Sequence, residues 1–413
     1  MSKKGSFQVF FLVPLVLFLA LATPGHGAEK APFLIGFIES LTGSYAPLGV
    51  DAKKAEELAI EEINAAGGAN GRQFKGIFYD DESQPPRSAD LVRKLKDQGA
   101  LVIIGGMGLP LGIAGSKAAN DEKVPFFPKG PAPLPLEVGQ PGSYVFGPPL
   151  YDFNALVDSL VRFLAKSGPR IAVLLTSDPM GEMYGKMLAG MKEKNPKLFE
   201  VVGTEWMLTT DVDITPQLTK LKALKPNALL VGPSGRPATV AFKNLDLMDW
   251  NIPAVAFSSN STLAFISSVK GFSDRVHLTM PAVGLRPDTI PDDDPGNVPA
   301  LRKIATRFKK ETGRILFDGA LSPYDTLHGL ADVINKLKLD PDKQGVQDMR
   351  DKIRQALETQ SYKGTLVRIQ RTPANHRGAS RYRMYEAKIE GDWFVPLRWI
   401  EYPTMEQGEI KKK

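Results

Sequence analysis

Short apolar runs alternate with stretches of helical spacing along most of the chain, and this alternation restricts the fold more than any single motif. Phe33–Ile38 (FLIGFI) reads as a buried strand. Ala52, Ala55, Leu58, Ala59 and Ile63 then fall at helical spacing, with Gly67-Gly68 as a stop signal. Phe74–Tyr79, Leu101–Ile104 and Val124–Phe127 are further strands, with helices expected around Ala89–Leu95 and over Ile113–Asp121. Strands apolar on both faces and separated by helices indicate a parallel sheet covered on both sides. This first unit spans roughly 32–148. The pattern restarts with helices over Phe153–Lys166, Gly181–Lys194, Ile214–Leu224 and Ala238–Asp249. Between them lie strands Ile171–Leu175, Glu200–Leu208, Ala228–Val231 and Ala254–Phe257. An acidic, Pro-rich stretch (Arg286–Val298) precedes helices around Leu301–Glu311, Ser322–Lys338 and Val346–Thr359. The tail offers strands Thr365–Gln370, Arg381–Ile389 and Phe394–Trp399. The expected class is α/β, with two lobes facing each other across a cleft. Ligands of open α/β sheets sit beyond the carboxyl ends of the strands.

The first residues read as an address rather than as part of the fold. Lys3 and Lys4 precede an apolar run, Phe7–Ala22, followed by small residues up to Ala28. That is the pattern of a secretory signal peptide, 1–27, with cleavage after Gly27 or one residue later. The run is short for a bilayer span and Pro14 interrupts it; the other reading is an uncleaved anchor. The mature protein is expected to be exported to the periplasm, where ATP and NAD are not expected. The chain of 413 residues contains no Cys, which excludes disulfides, thiolate metal sites, Cys nucleophiles and a lipid-anchored cysteine. Four scattered histidines make no local metal-ligand motif. The formal charge is +6, and loss of Lys3 and Lys4 lowers it to +4, a mild value for this length. The run from Arg368 to Arg383 is the nearest thing to a basic patch, but it lies among Gly, Pro, Asn and Ser and reads as a solvated loop. No nucleic-acid partner, metal or cofactor is expected.

Three motifs invite chemical readings. Gly106-Met107-Gly108-Leu109-Pro110-Leu111-Gly112 follows a strand, but its spacing is G-x-G-x-x-x-G, and Phe127-Pro128 stand where a ribose-binding acid would be. It reads instead as a Gly-rich loop lining a ligand pocket. Asp80-Asp81-Glu82 and Asp292-Asp293-Asp294 lack the spaced carboxylates and glycine of a calcium loop. The first is expected to be a helix-capping turn and the second a solvated loop. Ser234 in Gly232-Pro233-Ser234-Gly235 lacks the spacing of a nucleophile elbow, and His277 and His328 read as packed histidines. A turn serine is the plainer reading, and no enzymatic activity is expected.

A family resemblance enters through specific residues. Leu41-Thr42-Gly43-Ser44-Tyr45-Ala46-Pro47-Leu48-Gly49, Ala59-Ile60-Glu61-Glu62-Ile63-Asn64-Ala65-Ala66-Gly67-Gly68-Ala69-Asn70-Gly71 and Asp80-Asp81 closely resemble the leucine-binding-protein-like family. These are type I periplasmic substrate-binding proteins of branched-chain amino-acid ABC transporters. Ile104-Gly105-Gly106, Val124-Pro125-Phe126, Asp213–Leu218 and Tyr324-Asp325-Thr326 extend the match over nearly the whole mature chain. The resemblance implies two Rossmann-like lobes joined by three crossovers, near Gly147–Pro149, Thr279–Pro281 and Arg377–Arg381. Lobe 1 would comprise 32–148 plus 282–377, and lobe 2 would comprise 149–281 plus 378–413.

The departures from the family fall at the ligand contacts. Where amino-acid-binding members supply hydroxyls for an α-carboxylate, this chain has Met107-Gly108 and Gly130-Pro131-Ala132. The family carboxylate that takes an α-ammonium aligns with Ser258, and aromatic positions align near Gly235 and Met180. A buried ammonium would then go uncompensated, at a cost of several kcal/mol. By the same alignment Arg236 and Lys129 lie in cleft-facing loops where either could pair with an acid, Arg236 first because its fork suits a carboxylate. Tyr45, Leu48, Met107, Leu109, Pro131 and Met180 would make the rest of the pocket. The expectation is a non-enzymatic, monomeric solute receptor of an ABC importer, taking an amino-acid-like solute or, by preference, an apolar or aromatic carboxylate. Its partner would be a membrane permease. The alternative is a ligand-sensing subunit of a signalling system, and a hydrolase using Ser234 ranks third.

Overall fold

The computed structural model describes residues 30–129 and 140–410. The first unit opens with β1 (Phe33–Glu39), α1 (Ala46–Ala65), β2 (Phe74–Asp80), α2 (Pro85–Asp97), β3 (Val102–Met107), α3 (Leu109–Glu122) and β4 (Phe126–Lys129). The strands form one parallel sheet in the order β2-β1-β3-β4. The period-two geometry of a strand sends alternate side chains of β1 to opposite faces. Phe33, Ile35 and Phe37 join α1 residues such as Ala55, Leu58 and Ala59 in one core. Ile38 joins Leu91, Val92, Leu95, Ala118 and Ala119 of α2 and α3 in a second. Each buried side chain of this size contributes about 1.5–3 kcal/mol.

The second unit continues with α4 (Phe153–Ala165), β5 (Arg170–Thr176), α5 (Pro179–Lys194), β6 (Glu200–Met207), α6 (Thr215–Ala223), β7 (Ala228–Val231), α7 (Arg236–Leu247), β8 (Ala254–Phe257), α8 (Leu263–Ser268) and β9 (His277–Met280). The chain then returns to the first unit through α9 (Val298–Thr312), α10 (Asp318–Leu337), which packs along α1, and α11 (Val346–Leu357). It ends in β10 (Ser361–Lys363), β11 (Arg368–Gln370), β12 (Ala379–Glu390), β13 (Trp393–Tyr402) and β14 (Gln407–Glu409). The second sheet runs β10-β11-β12-β9-β8-β7-β5-β6, with β13 also on β12 and β14 on β13. It is parallel from β6 to β9 and antiparallel from there on. No helix among the described residues is long and apolar enough to cross a membrane.

The chain passes between the two sheets after β4, after β9 and before β12, and the first and last passages are tied together. Gly147 N–H donates to the His376 carbonyl (3.1 Å). Arg371 donates to the carbonyls of His376 (3.0 Å) and Gly147 (3.1 Å) and stacks over the rings of Phe127 and Phe146. A Cβ on Gly147 would lie 2.7 Å from the Arg377 Cα, so only glycine lets the passages approach this closely. The β10–β11 hairpin bridges the units: β11 pairs with β12, while Gly364 accepts from Asn297 and Thr365 donates to Asp325.

Several expectations are corrected here. The run Arg368–Arg383 is not a solvated loop, because Arg371, His376 and Arg383 are buried. Arg383 pairs with Glu401 and Asp293 and lies over the Trp399 ring. Nor is Asp292–Asp294 a solvated loop as a whole: Asp294 is buried and accepts from Tyr385 and Gly296. Asp80-Asp81 forms the expected turn but does not cap α2, whose N-cap is Gln84. Its carboxylates bind the loop after β1 instead.

Candidate functional site

Loops emerge from the carboxyl ends of both parallel sheets, and most of the residues singled out from sequence stand on them. In the first unit the loop after β1 is shaped by Asp80 at the end of β2. This carboxylate accepts from Leu41 N–H (2.9 Å), Thr42 Oγ1 (2.7 Å) and Glu82 N–H (2.8 Å). Partial burial raises its pKa, but those donors outweigh burial and hold it below the usual range. The Leu-Thr-Gly turn is thereby fixed, and Tyr45 N–H donates to Ser83 Oγ at 3.1 Å. Gly108 has φ +88°, and a Cβ there would lie 2.9 Å from the Tyr45 ring. The structure therefore brings Tyr45 and Gly108 together. Leu48 is exposed, Leu109 is half-buried and Met107 is packed into the core at the end of β3. Gly130, Pro131 and Ala132 lie outside the described residues.

Lys129 departs from expectation. It ends β4 with a fully buried side chain, donates to Glu39 of β1 and forms an ion pair with Glu56 of α1 at 2.5 Å, both equally buried. Two carboxylates share one ammonium in an apolar surround. Burial first, then the neighbouring Glu39 charge, pushes the Glu56 carboxyl well up. The cluster pins the ends of β1 and β4 to α1 and does not present Lys129 to a ligand.

In the second unit, Asp178 caps α5 by accepting from Gly181 N–H (2.8 Å), which leaves Met180 exposed at the helix start. Gly235, exposed with φ +65°, donates its N–H to Asn260 Oδ1 (2.8 Å). The Asn260 amide donates in turn to the carbonyls of Pro233 and Phe257, stapling the loops after β7 and β8. Ser234 shares a hydrogen bond with Ser259 (2.6 Å) and with no histidine among the described residues. Arg236, the first residue of α7, is exposed and enters no ion pair among the described residues. Ser258 is buried at the end of β8.

A group not singled out from sequence joins the two units at this level. Asp318, the first residue of α10, accepts from Tyr151 O–H through Oδ2 and from Gly319 N–H through Oδ1 (2.8 Å). Tyr151 follows the first passage between the sheets, and its hydroxyl lies within reach of Ser258. Tyr184 of α5 stacks between Phe153 and Phe257, with ring centroids 5.9 and 4.2 Å away, and feels the Asp318 charge. Burial pushes the Asp318 carboxyl up in spite of its two hydrogen bonds. It has no cationic partner among the described residues. The only sequence signal was an Asp opening an apolar helix, which caps and turns also produce.

A cavity of about 470 Å³ lies elsewhere in the first unit, between the end of α1 and α10, lined by Glu62, Tyr324, Asp325 and His328. It lies by the C-terminal end of α1 rather than at the strand-end loops, and Glu62 and Asp325 there are held by Tyr324, Lys303 and Thr365.

Residues 32–392 match the family described as periplasmic binding protein. Over 99 residues the chain is 33% identical to Leu/Ile/Val-binding protein homolog 2 of Brucella abortus (strain 2308), a stretch covering 23% of this chain and 26% of that protein. An extracellular ligand-binding receptor from Rhodopseudomonas palustris HaA2 superposes with a TM-score of 0.72 at 22% identity, covering 89% of this chain and 99% of that one. A fatty acid ABC transporter substrate-binding protein from Thermomonospora curvata superposes with a TM-score of 0.65 at 18% identity, covering 92% and 95%. At these identities the structural likeness speaks for the fold.

Proposed function

Because the chain belongs to the periplasmic binding protein family, we propose that it is the solute-binding receptor of an ABC importer, exported by its 1–27 leader and docking on a membrane permease when loaded. The preferred solute is a small apolar or aromatic carboxylate, held between the strand-end loops of the two units as they close by hinge motion. The names of its relatives do not choose a ligand, since they run from branched-chain amino acids to a fatty acid.

The observation that carries this reading is Arg236. An exposed guanidinium without an ion pair among the described residues, at the start of α7 beside the Gly235 turn, offers a planar fork to a ligand carboxylate. Leu48 and Met180, exposed large apolar side chains on the same rims, supply surface that closure would bury. Tyr45, held against Gly108, belongs to this wall. Calorimetry against amino acids, aromatic acids and fatty acids tests the reading. Binding of carboxylates that weakens roughly 10- to 100-fold in Arg236→Ala supports it. Tight leucine binding indifferent to Arg236 overturns the ligand preference, and no binding by any small solute overturns the receptor role.

A further inference from the structure

We infer that Asp318 is a specificity residue of this site, selecting solutes that carry a hydrogen-bond-donating hydroxyl at the end remote from their carboxylate. The inference rests on the solute-receptor reading above and names what that reading leaves open.

Asp318 is 8% exposed and stands at the start of α10, which packs on α1 of the first unit. Its bonded side-chain neighbour comes from elsewhere: Tyr151 from the first passage, whose hydroxyl in turn lies within reach of Ser258 after β8, while Tyr184 of α5 feels the Asp318 charge. It is thus a carboxyl at the start of α10 set against a hydroxyl of the passage between the units.

Two hydrogen bonds occupy a group with about four acceptor positions. Among the described residues no lysine or arginine compensates it, whereas the other buried carboxylate cluster of the first unit, Glu39 and Glu56, has Lys129. A buried carboxyl with spare acceptor capacity and no cation is costly unless something donates to it. A solute hydroxyl fits better than an ammonium. The surroundings are neutral hydroxyls and the stacked Tyr184–Phe257 rings, which replace the hydration of a full positive charge poorly.

The test is calorimetric titration of the full-length mature protein with phenylacetate, para-hydroxyphenylacetate and para-aminomethyl-phenylacetate, repeated on Asp318→Asn and Asp318→Leu. Melting curves verify that each variant folds. In the native protein the hydroxylated acid should bind about ten-fold or more tightly than phenylacetate, as one hydrogen bond to a charged acceptor warrants. That ratio should fall to a few-fold in Asp318→Asn and reverse in Asp318→Leu. If acids bind but the hydroxyl adds nothing, or the ammonium analogue binds tightest, the inference is overturned and the receptor reading stands. If no acid binds, the carboxylate reading fails; phenol against toluene then decides the role of Asp318. Stabilisation by phenol alone, lost in Asp318→Leu, supports it, and its absence refutes it.

Discussion

Replacing Gly108 by alanine should cost stability through two separable effects, and their separation tests how the rim of the first unit is built. Gly108 has φ +88° and ψ 164°, a region that side-chain-bearing residues enter at a cost of about 1–3 kcal/mol. The new methyl would also lie 2.9 Å from Tyr45 Cζ and 3.0 Å from Cε1 and the hydroxyl oxygen. Contacts that close are a form of overpacking worth about 1–3 kcal/mol unless the ring moves. Gly108→Ala should therefore lose about 2–6 kcal/mol or swing Tyr45 out of place. The double variant Gly108→Ala/Tyr45→Ala keeps the backbone cost but removes the clash. Urea unfolding of the four proteins, with slopes compared, should give a favourable coupling of about 1–3 kcal/mol between the two sites. Strict additivity would mean that Tyr45 does not rest on Gly108, and the described wall would be wrong.

Lys129→Met should destabilise the protein by about 3–5 kcal/mol in urea unfolding, because it strands two buried carboxyls. Glu56→Gln should cost much less, since burial and the Glu39 charge already disfavour its ionised form; equal losses would contradict that reasoning. Asp325 is buried and accepts from Thr365 N–H and Oγ1, and burial pushes its carboxyl up to about 7. The native state then binds a proton that the unfolded chain has released above pH ~4, so this group costs stability progressively as pH rises from about 4 to about 7. Asp325→Asn should flatten the dependence of stability on pH in that window by up to about 1.4 kcal/mol per unit. An unchanged slope would show that Asp325 titrates normally.

The strands that sequence located best are those buried on both faces. FLIGFI and ALLV are apolar at every position, and a parallel sheet covered by helices on both sides imposes that pattern. β9, β10 and β14 escaped because they are three or four residues long and carry His277 and Thr279, Lys363, or in β14 only Gln, Gly and Glu, so no apolar run marks them. α3 starts four residues before its predicted boundary because Gly108 at positive φ launches it directly from β3. The site was harder to read. Arg371 and Arg383 sit among loop-forming residues in sequence, and what buries them, Phe127 and Phe146 for one and Glu401 and Trp399 for the other, is remote along the chain or follows a further turn. Lys129 misled for the same reason: a lysine after a strand resembles a loop cation until Glu39 and Glu56 are seen around it. Asp318 gave only the unspecific signal of an acid opening a helix, because its meaning lies in Tyr151, Tyr184 and Ser258, brought together by the passages between the sheets.

The most direct measurement is small-angle X-ray scattering of the mature protein, alone and saturated with the solute that binds it best. Capture of that solute between the two units predicts a smaller radius of gyration on saturation, lost when Arg236→Ala abolishes binding. A profile that does not change with a solute demonstrably bound would contradict closure around it.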